Sequence, residues 1–330
     1  MDSDSILHLL IQRGDYLSGE EMSATLGVTR AAVWKGISAL REAGYVISSA
    51  PRLGYRLEHS PDRLSAGAIS ARLPAGILVG RQVQCLEQVD STNTYLKKLG
   101  AEGAPAGLAV LAEEQTAGRG RRDRRFQSPR GAGLYLSVLL RPACLPAEAV
   151  DLTAWIAVAV CDGIEELCGI RPQIKWTNDI ILHGKKLCGI LTEMSVEGET
   201  GALQSVVAGM GVNVSQTAQD FVQAGLGEIA TSLALEGCPV DRNELAAALL
   251  RALDRMARAF PAAHADYLAR YRADCVTLGR DVTLLRPGGP VEGRAVAVGD
   301  DFSLEVAYPD GSTEAVSSGE VSVRGIGGYL

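Results

Sequence analysis

The chemically most distinctive segment of the chain is a basic stretch at residues 118–125, which reads G-R-G-R-R-D-R-R and is called the arginine loop below. Its five arginines repel one another and cannot pack into a core, so the segment requires anions to neutralise it. Guanidinium groups bind phosphate and carboxylate in a fixed fork geometry, and glycines let a backbone approach a ligand closely. Apolar runs at residues 108–112 and 134–140 flank the stretch and would hold it between two buried strands. The pattern predicts a loop for a phosphorylated or carboxylated ligand, with a nucleic-acid patch or a plain surface loop as alternatives.

Other segments carry polar groups that could complete such a site. D-S-T-N at residues 90–93 gathers hydroxyls and an amide, which can bind an uncharged polar group such as a urea, although Ser91 could also cap a helix. K-W-T-N-D at residues 175–179 joins a cation, an amide and a carboxylate, and alone it is more typical of a strand-ending turn. Lys186 opens the apolar strand K-L-C-G-I-L, where an ammonium group needs a partner. Gly189 in that strand indicates a close approach by another group.

The overall composition is that of a globular protein with more than one domain. A chain of 330 residues is expected to hold two or three domains, and 47% hydrophobic with 22% charged residues suffices for a sizeable core. The net charge of -7 argues against a surface that binds nucleic acid all over but permits a local basic patch. The chain has no long apolar run, and it begins with the acidic M-D-S-D-S, so we expect no membrane span, no signal peptide and a cytoplasmic location. Seven cysteines without a C-x-x-C pair predict buried free thiols rather than zinc or a disulfide.

The first sixty residues predict a winged helix-turn-helix. S-G-E-E, beginning at Ser18, is a capping-box pattern for a short helix that ends at Gly27, and Thr29 would cap a second helix reaching Ala43. A hairpin around residues 51–54 would form the wing. The polar face of the second helix suits a major groove, although such a module can also serve for packing alone. We predict DNA contacts from Arg30, Trp34, Lys35, Ser38 and Arg52.

The rest of the chain divides into a larger α/β part and a small β part. Residues 59–63 are polar and contain proline, which predicts a linker at residues 61–66. In residues 67–273, helical patterns alternate with aliphatic strands, which predicts a mixed sheet with helices, and Pro261 would open one of these helices. Residues 274–330 show short alternating runs between turn residues, which predicts a small β-barrel.

Together these motifs resemble the biotin protein ligase family over the whole chain. The resemblance is carried by G-R-G-R-R-x-R from residue 118, K-W-x-N-D from residue 175, K-L-x-G-I-L from residue 186 and G-E-V-S-V-R at residues 319–324. The N-terminal unit is similar to that of the bifunctional ligase–repressor group, whereas the R-R-x-x-G-G-G signature of lipoate ligases is missing. The resemblance implies a winged helix, a catalytic domain like that of class II aminoacyl-tRNA synthetases, and an SH3-like C-terminal domain.

The resemblance also implies a reaction and its partners. Biotin would attack the α-phosphate of ATP to give biotinyl-5′-AMP, and a lysine of the biotin carboxyl carrier protein of acetyl-CoA carboxylase would then displace AMP. Mg²⁺, held mostly through phosphates, and cationic side chains would offset the repulsion between the reacting anions. The group implies repression of biotin genes on operator DNA by a homodimer that forms when the adenylate is bound.

The resemblance assigns roles to individual residues. Lys186, Arg121 and Asp179 would be catalytic. Biotin would be bound by Ser91, Thr92, Asn93, Gln115, Gly118, Arg119, Arg121, Lys186 and Gly189. ATP and the adenylate would be bound by Arg121, Arg122, Phe126, Lys175, Asn178, Asn213 and Arg324.

The chain departs from the family pattern at a few positions. Asp123 stands where glycine is common, Phe126 where tryptophan is, and Thr177 where proline is, the last being expected to have little effect. Phe221 is the candidate aromatic ring for the adenine. Two other readings stay open: a biotin ligase without repressor activity, and a non-catalytic regulator that senses a small carboxylate.

Overall fold

A computed structural model describes residues 3–286, 288–317 and the backbone of 322–325, with residue 123 also described by its backbone alone. Within this part of the chain, no helix combines the length and apolarity needed to cross a bilayer.

The N-terminal unit is the predicted winged helix-turn-helix. Its elements are α1 (Ser3–Arg13), α2 (Gly19–Leu26), α3 (Arg30–Glu42), β1 (Val46–Ala50) and β2 (Gly54–His59), with β1 and β2 antiparallel. The capping box is confirmed, because Ser18 Oγ accepts a hydrogen bond from the Glu21 amide (3.1 Å) and Glu21 Oε2 accepts one from the Ser18 amide (3.0 Å). Gly27 ends α2 in the left-handed region at φ 64°, and Thr29 caps α3. Buried Ile6, Val33 and Ile37 belong to the core of this unit.

The central unit is a seven-stranded mixed sheet with helices on both faces. Its strands are β3 (Gln82–Leu86), β4 (Leu108–Ala112), β5 (Gly133–Leu140), β6 (Gln173–Lys175), β7 (Asp179–Leu182), β8 (Lys185–Val196) and β9 (Leu203–Asn213). They lie in the order β3-β4-β5-β9-β8-β7-β6, and β3 and β4 are parallel while the other neighbours are antiparallel. The predicted mixed sheet is confirmed.

The helices of this unit form two hydrophobic layers, one on each face of the sheet. They are α4 (Ala66–Ser70), α5 (Thr92–Ala101), α6 (Pro146–Ala149), α7 (Leu152–Cys168), α8 (Ala218–Gln223), α9 (Arg242–Ala259) and α10 (His264–Asp274). On β4, Leu108 and Val110 share a cluster with Leu96 of α5, whereas Ala109 and Leu111 share the main core with α7 and α9. A Cβ at Gly163 would lie 2.8 Å from a Leu249 methyl group, so α7 and α9 pack closely.

Two predictions for this unit are wrong. Helix α10 begins at His264 rather than at Pro261, because residues 261–263 still form turns that follow α9. Cys168 and Cys238 form a disulfide, with their Cα atoms 6.0 Å apart, where only free thiols were expected. The pair is 70 residues apart in sequence, so only the packing of the fold brings the end of α7 to the segment before α9.

The C-terminal unit is a small antiparallel sheet. It comprises β10 (Asp281–Arg286), β11 (Gly289–Val298), β12 (Leu304–Ala307), β13 (Thr313–Val316) and β14 (Ser322–Gly325), in the order β13-β12-β11-β10-β14. Trp176 of the central unit donates its indole N–H to the Phe302 carbonyl (2.9 Å) and its amide to Thr277 Oγ1 (2.9 Å). These bonds tie the K-W-T-N-D segment to the C-terminal unit.

The linker between the first two units is fastened around a buried arginine. Arg242, at the start of α9, is 1% exposed and donates to Glu113 Oε2 (2.8 Å) and Asp62 Oδ1 (2.7 Å). Glu113 Oε1 accepts a hydrogen bond from the Leu64 amide (2.7 Å). Burial opposes the charged form of Arg242, yet its bonds to Glu113 and Asp62 outweigh burial and raise its pKa. We call Arg242, Glu113, Asp62 and Leu64 the linker clamp.

A half-buried carboxyl group before α7 makes stability depend on pH. Burial raises the pKa of Asp151 to about 6; His264 opposes this shift, while Asp301 and Glu148 add to it. Because this folded-state pKa lies above the ordinary value of 3.8, the folded protein should lose stability as pH rises from about 4 to about 6. Asp151→Asn should therefore raise the free energy of unfolding at pH 8 by about 1–2 kcal/mol, allowing for solvent screening.

Urea unfolding of both proteins at pH 8 and pH 4 checks this prediction. The stabilisation should shrink towards zero at pH 4, and an equal gain at both pH values would contradict the assignment. Asp266→Asn, at a largely exposed position on α10, is the control and should change stability by less than about 0.5 kcal/mol at either pH.

Candidate active site

A cleft of about 1550 Å³ opens over strands β8 and β9, between the arginine loop and α8. Most of the site residues predicted from the sequence line it: Ser91, Thr92, Asn93, Gln115, Arg119, Arg121, Arg122, Phe126, Lys175, Asn178, Asp179, Lys186, Gly189 and Asn213. Gly118 lies beside this lining at the base of the arginine loop. Arg324 belongs to β14, and its side chain lies outside the described part of the chain. Phe221, the candidate for the adenine, also lines the cleft.

A lysine and an aspartate form an ion pair in the part of the cleft where strands β7 and β8 begin. Lys186 Nζ lies 2.5 Å from Asp179 Oδ1, across the antiparallel pair β7–β8. The carboxylate is the partner that an ammonium group at the start of an apolar strand requires. Both side chains keep partial solvent exposure, so the ammonium group can be reached by a ligand in the cleft.

The arginine loop closes over this pair. Arg121 Nη1 donates to Thr177 Oγ1 and to Asn178 Oδ1, each at 3.1 Å. Burial lowers the pKa of the Arg121 guanidinium, although the nearby Asp179 carboxylate raises it. Asn178 in turn donates from Nδ2 to the Ile190 carbonyl (2.8 Å). Two cations and a carboxylate are thereby concentrated within one part of the cleft.

Backbone hydrogen bonds give the arginine loop a defined path. The Gly120 amide donates to the Arg124 carbonyl (2.7 Å), and the Phe126 amide donates to the Gly118 carbonyl (2.9 Å). A Cβ at Gly118 would lie 2.5 Å from the Phe126 carbonyl oxygen, so a side chain does not fit there. Arg122 adopts a left-handed conformation at φ 53°, and its guanidinium donates to the Leu285 carbonyl (3.4 Å) of the C-terminal unit.

Facing glycines form the floor of the cleft. Gly189 and Gly211 are register partners on β8 and β9. The Phe126 ring lies directly over them, since a Cβ at Gly211 would come within 2.5 Å of that ring and one at Gly189 within 3.6 Å. The ring also meets Tyr135 edge to face, with the centroids 6.4 Å apart. The floor is thus bare backbone covered by one aromatic ring.

A chain of small polar groups lines another part of the cleft. Gln115 Oε1 accepts from the Thr92 amide (2.9 Å) and hydroxyl (3.0 Å), and Gln115 Nε2 donates to Ser128 Oγ (2.8 Å). Ser137 Oγ donates to Asn93 Oδ1 (2.7 Å). Ser91 begins α5 as its N-cap. Hydroxyl and amide groups therefore converge here, next to the base of the arginine loop.

Some residues with structural importance at the site were missed by sequence reasoning. Glu193 on β8 accepts hydrogen bonds from Asn93 Nδ2 (3.0 Å), Lys97 Nζ (2.9 Å) and Arg119 Nη1 (3.3 Å). Burial opposes its ionisation, but the bonds from Lys97 and Asn93 outweigh burial and lower its pKa. A carboxylate inside the apolar run of β8 and a serine inside that of β5 were signals that could have revealed Glu193 and Ser137.

Comparison with known proteins identifies the family. Residues 85–213 match the model of the Biotin/lipoate A/B protein ligase family, residues 3–56 match an HTH domain, and residues 277–324 match the Biotin protein ligase C terminal domain. The chain is 34% identical to the bifunctional ligase/repressor BirA of Bacillus spizizenii, over 95% of this chain and 96% of that protein. The chain belongs to the biotin protein ligase family.

Further relatives agree with a biotin protein ligase of the bifunctional type. The bifunctional ligase/repressor BirA of Escherichia coli is 34% identical over 96% of this chain and 95% of that protein. The solved biotin protein ligase from Aquifex aeolicus in complex with biotin and ATP superposes with a TM-score of 0.63 at 27% identity, covering 74% of this chain and 99% of that one. The predicted family and fold class are confirmed.

The N-terminal unit of this biotin protein ligase presents the predicted DNA-contacting side chains on one helix and the wing. Arg30, Trp34 and Lys35 of α3 are exposed, and the Trp34 side chain is 63% exposed despite its apolar ring. Ser38 is half-buried, and Arg52 is exposed at the turn of the wing. An exposed tryptophan beside two cations on a helix favours contact with a partner over packing.

Proposed function

We propose that this protein is an ATP-dependent ligase that makes biotinyl-5′-AMP and transfers biotin to a lysine of the carrier protein of acetyl-CoA carboxylase. The observation that carries this proposal is the meeting of Arg121 with Asn178 beside the Lys186–Asp179 pair, under a loop of four further arginines. Bringing a carboxylate to a polyphosphate requires cations at the point of attack. The cleft supplies them there.

In this proposal two regions of the cleft bind different parts of biotin. Thr92 and Gln115, with Ser91 and the Gly118 backbone, bind the ureido ring, whose amide-like groups match their hydroxyl and amide groups. The carboxylate then lies toward Lys186, whose ammonium group would stabilise the negative charge that develops on the α-phosphate oxygens. Pyrophosphate leaves, and the amine of the incoming lysine later attacks the acyl carbon and releases AMP.

The proposed nucleotide side of the site is completed by six residues: Arg121, Arg122, Lys175, Asn178, Asn213 and Phe126. Lys175 is buried at the edge of the cleft, as expected for a cation that acts on phosphates rather than on solvent. Asn213 donates its amide to the Thr231 carbonyl (2.9 Å), which fixes the segment after β9 that borders the cleft. We therefore propose that Asn213 contributes by holding in place the segment that borders the cleft.

Mg²⁺ fits this cleft as an ion carried mainly by phosphates. Asp179 and Asn178 offer carboxylate and amide oxygens, which are suitable ligands, but each already accepts a hydrogen bond from Lys186 or Arg121. The ion would therefore take its other ligands from ATP and water. When bound, it would neutralise phosphate charge.

Transfer of radiolabelled biotin to a carrier domain tests the ligase. We expect ATP-dependent labelling of one carrier lysine and ATP–pyrophosphate exchange that requires biotin. Biotin binding without exchange or transfer would instead identify the non-catalytic regulator.

We also propose that the protein represses biotin genes as an adenylate-bound homodimer on operator DNA. The exposed Arg30, Trp34 and Lys35 on α3 support contact with a major groove. Gel shifts with operator-like DNA test this, because phosphate contacts make affinity fall steeply with salt. Absence of salt-sensitive binding, with or without biotin and ATP, would leave a ligase without repressor activity.

A cytoplasmic location and domain limits at residues 60, 66 and 273 stay predictions.

Arg121→Gly should release the adenylate. Loss of a charge-assisted contact of about 1.5–3 kcal/mol corresponds to roughly 10- to 100-fold faster dissociation of biotinyl-5′-AMP. The escaping mixed anhydride would then biotinylate bystander proteins, which mass spectrometry of an added non-carrier protein would detect. Arg81→Gly removes the same charge at an exposed position outside the cleft and should retain the adenylate. Equal retention by both variants would contradict the role of the loop.

A further inference from the structure

The buried residue Thr177 makes a contact with the arginine loop that its position in the motif does not suggest. Its side chain is 4% exposed, and Oγ1 accepts a hydrogen bond from Arg121 Nη1 at 3.1 Å. Asn178 Oδ1 accepts from the same nitrogen. Proline, which the family pattern carries here, has no side-chain acceptor, so the sequence-based expectation of little effect overlooks a bond available to this chain.

The acceptor is held in place from several directions. Tyr271, itself fully buried, donates its hydroxyl to the Thr177 carbonyl (3.3 Å). The preceding Trp176 is fixed through Phe302 and Thr277, and the following Asn178 is fixed through the Ile190 carbonyl. Thr177 therefore offers Arg121 a rigid acceptor on the body of the protein.

The other side-chain contacts that the structure describes between the arginine loop and the body are more open to water. Arg119 contacts Glu193 with 44% of its own side chain exposed, and Arg122 reaches the Leu285 carbonyl at 3.4 Å from an exposed position. Exposed pairs contribute little to order because water competes for them. Among the described side-chain contacts of the arginine loop, that of Arg121 with Thr177 and Asn178 is the more sheltered from water.

We propose that Thr177 is a positioning residue that orders the arginine loop before any ligand arrives. The identity of that ligand rests on the proposed function, but the ordering of the empty loop does not. A loop already ordered loses less conformational entropy when it closes on its ligand, so binding is tighter. Loss of one such hydrogen bond should raise the open population of the loop about 3- to 10-fold.

Trypsin offers a direct test, because the loop supplies five arginine cleavage sites. We expect the empty Thr177→Val and Thr177→Pro proteins to be cut in the loop about 3- to 10-fold faster than the parent, while Thr177→Ser stays within twofold. Cleavage at sites outside the loop, read from the same digests, should be equal in all four proteins. Loop cleavage of Thr177→Val at the parental rate, with the fold intact by circular dichroism, would overturn the proposal.

Kinetics separate this role from the proposed function. In Thr177→Val the KM for biotin should rise about 3- to 10-fold while kcat changes less than twofold, and Thr177→Ser should restore the parental KM. An equal fall of kcat in the valine and serine variants would overturn positioning. If the parent protein shows no biotin transfer, the proposed function fails, but the trypsin result still decides whether Thr177 orders the loop.

Discussion

Replacing Lys186 with methionine is expected to slow adenylate formation by about 10²- to 10³-fold. The variant keeps the length and apolar stem of the side chain but removes the ammonium group that lies 2.5 Å from Asp179. Asp179 would then face the incoming carboxylate and phosphates as an uncompensated anion, which adds repulsion to the lost stabilisation. Biotin-dependent ATP–pyrophosphate exchange measures this step.

Lys185→Met is the matched control for this prediction. Lys185 precedes Lys186 on β8, and its ammonium group donates to the Gly227 carbonyl (3.2 Å) rather than to Asp179. Its removal changes the net charge by the same amount, so exchange should stay within about fivefold of the parent. A Lys186→Met protein that keeps exchange within tenfold of the parent would show that another cation acts on the α-phosphate.

Replacing Arg242 with methionine should lower the free energy of unfolding by about 3–5 kcal/mol. The substitution leaves the Glu113 carboxylate, with 7% of its side chain exposed, without the guanidinium that neutralises it. An uncompensated buried charge is among the costliest changes in a protein interior. It would also remove the bond by which Asp62 of the linker joins the start of α9.

Two further variants test the linker clamp by urea unfolding. The double variant Arg242→Met, Glu113→Gln should recover part of the lost free energy of unfolding, because neither partner then leaves an uncompensated buried charge. Arg251→Met, on the same helix but at a partly exposed pair with Glu166, should cost less than about 1 kcal/mol. A double variant no more stable than the single one would show that Arg242 acts through packing instead of charge.

Local signals made much of this fold predictable. The helix starts at Ser18 and Thr29 depend on hydrogen bonds that span three residues, and both are confirmed. Strand β8 was expected from its unbroken aliphatic run, and Lys186 was singled out because an ammonium group there needs a partner. The resemblance to the family motifs then assigned most of the residues that line the cleft.

The remainder depends on contacts between residues that are distant in the sequence. Cys168 and Cys238 meet because of how α7 packs, and Arg242 meets Asp62 across 180 residues. Thr177 is separated by 56 residues from the arginine that it binds. Single-residue properties do not show which polar groups a fold will bury against one another, so these pairs needed the structure.

The linker clamp has a consequence for the spacing of DNA sites. Ser65 and Asn243 add a 2.9 Å bond beside the clamp, and a Cβ at Gly67 would lie 2.1 Å from the Asp4 carbonyl, so α1 abuts α4 without a gap. The winged helix is therefore packed directly against the catalytic unit rather than joined to it by a flexible linker. In a two-fold pair, the distance and angle between the two α3 helices would be fixed by the subunit contact. One extra base pair between the half-sites rotates one half-site relative to the other by roughly 35° around the duplex. Two α3 helices held at a fixed distance and angle could not follow that rotation.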